Sequence, residues 1–119
     1  MEGKELGFEV MHLGINCEKE ESALSIAETL QGLFGFEYKT GNSSIFSENR
    51  RIEIMKSPGR GTNGHIAIGT TNIEAAESYL KKRGCGFIEE SRVVREGKTT
   101  AIYLDVEIAG FAVHLLQKT

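Results

Sequence analysis

The feature that most constrains this chain is a repeat. Val10-Met11-His12-Leu13-Gly14-Ile15-Asn16 and Asn63-Gly64-His65-Ile66-Ala67-Ile68-Gly69 each carry a histidine, a large aliphatic, a small residue, an isoleucine and then a small or polar residue. Each reads as a strand, and a helical pattern follows each within a few residues. A repeat of about half of the chain's 119 residues has to be weighed before any local motif is read.

Taken in order, residues 1–6 read as a polar, loose lead-in. Phe8 to Asn16 reads as a strand with Met11, Leu13 and Ile15 facing a core and Val10, His12, Gly14 and Asn16 facing the other way. Glu18 to Phe34 reads as a helix, with Ala23, Ile26, Ala27, Leu30, Leu33 and Phe34 on one face. The acidic run Glu18, Glu20 and Glu21 suits the helix N-terminus and reads as a solvated helix end rather than a metal site. Gly35 ends the helix. Residues 36–40, 43–47 and 51–56 read as short strands, separated by Gly41-Asn42 and a hairpin tip at Glu48-Asn49-Arg50.

The second half repeats that order. A strand over 65–69 leads into Thr71-Asn72-Ile73-Glu74, which fits a capping box. Ile73, Ala76 and Leu80 give the apolar face of a helix that ends at Gly84. Strands over 86–94, 99–106 and 110–117 follow, with Glu96-Gly97-Lys98 as a hairpin turn. The expected class is α+β, with one domain over 1–119 built from a βαβββ module at about 8–57 and another at about 63–118. A chain of this length buries one core, not two independent ones.

Several classes are argued against. With 14 Lys and Arg against 17 Asp and Glu, the net charge of -3 does not suit a phosphate-tracking surface, so no nucleic-acid partner is expected. No apolar run approaches the roughly 20 residues that span a bilayer, so no membrane partner is expected either. The charged start, Met1 to Glu5, lacks the apolar segment of a secretion signal. Cys17 and Cys85 are isolated, with no CxxC pair, and read as reduced thiols of a cytoplasmic protein. Gly59, Gly61 and Gly64 match GxGxxG, but that motif needs a helix directly after it and here a strand follows. These glycines read as the crossing between the two halves.

When the halves are overlaid on His12 and His65, Ile52-Glu53-Ile54 falls against Val113-His114-Leu115, at offsets of 41 and 49 residues. Large aliphatics flank the polar residue in all four strands. If those aliphatics pack under the helices, His12, Glu53, His65 and His114 lie on the opposite, concave face of the sheet. The chain has only 3 histidines, and all occupy these positions. A lone strand histidine is more often a hydrogen-bonded, half-buried residue than a ligand, and a lone glutamate more often plain surface. At repeat-related positions the same residues favour an open site for zinc, nickel, iron, manganese or cobalt.

On His12-Leu13-Gly14-Ile15, Arg51-Ile52-Glu53-Ile54, His65-Ile66-Ala67-Ile68 and Gly110-Phe111-Ala112-Val113-His114-Leu115, the chain from Phe8 to Gln117 resembles the vicinal oxygen chelate superfamily of glyoxalases, bleomycin-resistance proteins and extradiol dioxygenases. The resemblance implies a curved mixed sheet with helices on its convex face, a homodimer, and His12, Glu53, His65 and His114 as metal ligands. The last-strand position is usually glutamate in that family and is His114 here, which leaves Glu53 as the one carboxylate for proton transfer. A two-histidine-one-carboxylate subset still suits iron or manganese. The chain is also similar to glyoxalase-like segments attached to bacterial keto-deoxy-phosphogluconate aldolases, which points toward sugar acids.

Phe46, Met55 and Tyr103 are candidates to line the same cleft, with Tyr103 able to donate a hydrogen bond to a bound oxygen. Arg50, Arg51, Lys56 and Arg60 cluster near one hairpin and the linker; Arg60 is the candidate for an anionic substrate, although such charges more often solvate a loop. The expected function is a small metal-dependent, glyoxalase-like enzyme acting on a small oxygenated substrate of α-oxo or sugar-acid type. It would be a lyase, isomerase or dioxygenase with Glu53 as the catalytic base. The alternative is a metal-free ligand-binding, resistance-type or regulatory module of the same fold.

Overall fold

Short aliphatic runs between turn residues become strands, and the two 3.6-residue patterns become helices. The computed structural model describes residues 3–119. After a 3-10 turn at Gly3–Leu6 come β1 (Glu9–Ile15), α1 (Glu20–Phe34), β2 (Tyr38–Thr40), β3 (Ser44–Ser47) and β4 (Ile52–Met55). The second half follows as β5 (Gly64–Thr70), α2 (Ile73–Lys82), β6 (Phe87–Arg95), β7 (Lys98–Ile108) and β8 (Phe111–Gln117). The strands form one sheet in the order β2-β3-β4-β1-β5-β8-β7-β6. In each half the first strand runs parallel to the last, β1 beside β4 and β5 beside β8, and the halves join through antiparallel β1 and β5. This is the expected α+β class, two βαβββ units in a curved mixed sheet. No helix among the described residues is long and apolar enough to cross a membrane.

Both helices cover outer strands, α1 over β3 and β4 and α2 over β7 and β8. Most of the buried apolar residues therefore fall into two clusters, one under each helix. Cys17, Ala23, Ala27, Ile45 and Ile54 pack under α1; Leu6, Ile73, Ala76, Ile102, Leu104, Val113 and Leu115 pack with α2. At the seam Leu13, Ile15 and Ile66 are only half-buried, because no helix lies directly over β1 and β5. Cys17 and Cys85 belong to different clusters and are free thiols.

Local differences from the expected pattern have physical causes. A bulge between Val10 and His12 rephases β1, so Met11 does not reach a core and instead covers Gly69, remaining 39 % exposed. Leu33 and Phe34 are exposed. Helix α1 docks through Ala23 and Ala27, and its last turn carries those two side chains away from the strands it covers. The lead-in is anchored where it is described: Leu6 is buried, and its carbonyl accepts from the Thr70 and Thr71 hydroxyls and the Thr71 amide. Asn72, not Thr71, caps α2, its side chain accepting from the Ala75 amide at 3.1 Å, while Thr71 is engaged with Leu6.

Candidate metal centre

The register of the central strands dictates what can meet on the concave face. In the β1–β5 pair, Gly14 lies opposite His65 and His12 opposite Ala67. Each histidine thus faces the small residue two positions beyond the other histidine. Strand β4 sets Glu53 beside Gly14, and β8 sets His114 beside Ala67. One transverse row then runs Phe46, Glu53, Gly14, His65; the next runs His12, Ala67, His114, Tyr103.

This geometry brings three donors to a point. His12 Nε2 lies 3.2 Å from His65 Nε2, and Glu53 Oε1 lies 3.5 Å from the first and 3.2 Å from the second. The other carboxylate oxygen accepts from the Ser44 hydroxyl at 2.9 Å, which fixes the turn of the carboxylate plane. His65 is the buried member, because its ring occupies space that opens only because Gly14 has no Cβ: a methyl group there would coincide with the imidazole. His12, opposite Ala67, stays partly exposed.

The electrostatics follow from this crowding. The hydrogen bond with His65, helped by Ser44, holds the Glu53 carboxyl below its usual range against the opposing effect of burial. Burial, then the neighbouring His65, pushes the His12 imidazole down, and Arg50 adds to that while Glu53 opposes it. Burial and the other two histidines take His114 down to about 4. At that value an imidazole has the proton affinity of an ordinary carboxylate (about 4.3 for glutamate) without its negative charge. Burial, then the charge of Glu53, raises the Tyr103 phenol.

The donor triangle fits a metal ion. Nitrogen and oxygen donors bound tetrahedrally at about 2.1 Å from one ion lie about 3.4 Å apart. The separations of 3.2, 3.2 and 3.5 Å match that spacing, and the cluster leaves two imidazole nitrogens and a carboxylate oxygen facing one another with too few protons to bridge all three contacts. Two imidazoles and one carboxylate suit zinc and, as a facial set with open positions, iron or manganese.

The other sequence candidates are placed as follows. His114 is not part of the triangle: its ring is 6.3 Å from that of His65 and lies flat on Tyr103, with centroids 4.1 Å apart and planes 2° apart. Tyr103 is 6.4 Å from the His65 ring, and Arg60 reaches back from the linker to place its guanidinium 5.3 Å over the Tyr103 ring. Phe46 stands next to Glu53 and carries the Arg50 guanidinium 4.2 Å above its ring. Met55 lies two residues beyond Glu53 and leans toward Gly59. The basic cluster disperses: Lys56 is tied to the Gly41 carbonyl and Glu20, and only Arg50 and Arg60 turn toward the cleft aromatics. Sequence reading missed Gly14 and Ser44. Gly14 occupies the repeat position of Ala67, and Ser44 shares the strand face of Phe46, so alternation places both on that face but does not show what either one touches.

One consequence concerns pH. The His114 imidazole should titrate near 4 by NMR, where an unfolded histidine titrates near 6.5. Above about pH 6.5 both states are neutral there and stability is whole. As pH falls from 6.5 toward 4, only the unfolded chain takes the proton, and stability drops by up to about 3 kcal/mol. A His114→Gln variant should lose that part of the acid sensitivity, seen as a shallower fall of the denaturation midpoint over the same window.

The sequence matches no family model and no curated protein. Solved structures do match it. A hypothetical protein of Bacillus halodurans superposes with a TM-score of 0.62 at 20% identity, over 94% of this chain and 95% of that one. A methylmalonyl-CoA epimerase gives a TM-score of 0.64 at 15% identity, over 92% and 94%. The methylmalonyl-CoA epimerase of Mycobacterium tuberculosis gives 0.60 at 13% identity, over 92% and 87%. At these identities the likeness is one of fold.

Proposed function

Since the chain has the vicinal oxygen chelate fold, we propose that it is a metal-dependent enzyme that moves a proton on a small oxygenated substrate of α-oxo, sugar-acid or related type. The observation that carries this reading is the convergence of His12 Nε2, His65 Nε2 and Glu53 Oε1 within 3.5 Å of one another. When bound there, a divalent transition metal supplies a Lewis acid for two substrate oxygens, which lowers the cost of forming an enolate-like anion beside them.

The chain's own groups do the rest. His65, held over Gly14, and Glu53, held by Ser44, are fixed donors; His12 completes the set from the open side. Glu53 is held in its charged form and His114 in its neutral form at neutral pH, so each is a group able to accept a proton in the cleft. Tyr103 stays protonated and is available as a hydrogen-bond donor to a bound oxygen. A solved methylmalonyl-CoA epimerase of this fold holds methylmalonyl-CoA, which supports including thioesters of small acids among the substrates tested.

The test begins with elemental analysis of untagged protein and titration with zinc, nickel, iron, manganese and cobalt. About one equivalent of one of them should be taken up. Less than about one-tenth equivalent, with no uptake on titration, overturns the metal reading and leaves a binding module whose histidines hold each other. Loaded protein should then exchange a substrate C–H with solvent deuterium in one of three sets: thiol adducts of α-oxo aldehydes, sugar acids, or methylmalonyl-CoA.

A further inference from the structure

The cleft carries a second repeat that the donor triangle does not use. Phe46 pairs across strands with Glu53, and Tyr103 pairs in the same way with His114. Glu53 and His114 are themselves repeat partners, so the two aromatic rings occupy equivalent places on either side of the centre. Each ring has an arginine over its face, Arg50 at 4.2 Å from the Phe46 centroid and Arg60 at 5.3 Å from that of Tyr103. A guanidinium stacked on a ring keeps its in-plane N–H groups free for an oxyanion. The ion pairs among the described residues engage Lys19, Lys56, Lys81, Arg92 and Lys118, and neither of these arginines.

The two sides differ in space. Beyond Phe46 opens a cavity of about 700 Å³ bordered by Gln31, Lys39, Phe46, Glu48 and Arg50, large enough for a charged group and several carbon atoms. Lys39 pairs across strands with Phe46, so it shares the row that leads through Glu53 to His65. Glu37 and Glu48 also border the cavity but pair with neither Arg50 nor Lys39 among the described residues. Charge balance points the same way. A divalent ion held by two neutral imidazoles and one carboxylate leaves one net positive charge; Arg50, Arg60 and Lys39 add three and the bordering Glu37 and Glu48 remove two, so a net charge of about two remains for a substrate to answer.

We infer that the substrate carries a second anionic group, a carboxylate or phosphate, at the end remote from its chelating oxygens, and that Arg50 reads this group in the cavity beyond Phe46 while Arg60 steadies the chelating end. The placement of that end rests on the metal reading; the charge preference of the cavity does not. A singly charged acid leaves the Arg50 guanidinium on Phe46 without a substrate anion, whereas a doubly charged one fills both ends of the row.

The experiment is calorimetric titration of the metal-loaded full chain with lactate, malate and 3-phosphoglycerate. These share a 2-hydroxy-acid end and differ in charge at the far end. Malate and 3-phosphoglycerate should bind about tenfold or more tightly than lactate, the size of one charged hydrogen-bonded contact. Arg50→Gln should bring all three within about threefold of one another. Arg60→Gln should weaken all three alike. Arg83→Gln removes an arginine that also lies over a ring, that of Tyr79 at 3.8 Å, but outside the cleft; it should change none of them. Equal affinities for the three acids, or a preference that survives Arg50→Gln, would overturn the inference even if metal is taken up. If no metal is taken up, the same series on the metal-free protein keeps the question open to decision: a preference for 3-phosphoglycerate lost in Arg50→Gln supports the anionic end, and no preference overturns it.

Discussion

Replacement of His65 by alanine should lower transition-metal affinity by more than about 100-fold, since loss of a supporting residue around a metal alone costs 10- to 100-fold. His65 is the donor with no alternative position: it is 4 % exposed, it touches both other donors, and its ring is wedged over Gly14. His12 is partly exposed, and His12→Ala should cost less, because a water can enter from the open side. Arg60→Ala should leave metal affinity unchanged, as its guanidinium lies on Tyr103 and carries no donor to the triangle. The measurement is competition against a chelator of known affinity, with the fold checked by circular dichroism. Unchanged affinity in His65→Ala removes that residue from the site.

The second large effect belongs to a residue with no side chain. Gly14→Ala should destabilise the protein by about 1–3 kcal/mol, the range for forcing extra volume into a packed place, and should cut metal affinity as steeply as loss of His65 does. The added methyl group would occupy the space of the His65 imidazole, so the ring must swing off the triangle. The double variant Gly14→Ala, His65→Ala isolates the cause. With the imidazole gone the methyl group has room, and the glycine substitution should then be nearly neutral in denaturant unfolding, giving a coupling of about 1–3 kcal/mol. Simple additivity in that cycle would show that Gly14→Ala acts on the strand and not through His65.

Much of the architecture is legible in the sequence. The order strand, helix, three strands appears twice in the sequence; the histidines, and Gly35 and Gly84 after the helices, mark equivalent points in it, and Glu96-Gly97 marks a hairpin turn. Both Glu96 and Gly97 do take left-handed backbone, at φ 52 and 77. What could not be read depends on register and bulges. Nothing local in Val10-Met11-His12 announces the extra residue that turns Met11 onto Gly69. Alternation alone also puts Leu13, Ile15 and Ile66 in a core, whereas the helices cover neighbouring strands and leave them half-buried. Gly14 looked like one small residue among several, because its steric role depends on its partner across the strands and not on its neighbours in sequence. Arg50 likewise belongs to a hairpin tip in the sequence. Left-handed backbone at Glu48, Asn49 and Arg50, at φ 51, 55 and 68, folds that tip back so that the guanidinium covers Phe46.

The placement of the seam has a mechanical consequence. Beyond the linker, the halves are joined through the pairing of β1 with β5 and through the N-terminal segment, whose Leu6 and Phe8 pack with the cluster under α2. The donor triangle straddles this joint, His12 and Glu53 on one side and His65 on the other. An ion bound there would rivet the halves together, adding about 2.7 kcal/mol to the folded state at a free concentration one hundred times its dissociation constant. Chelation would withdraw that rivet at the joint while leaving the packing under α1 and α2 in place, so the first motion released would be a hinge between the two modules.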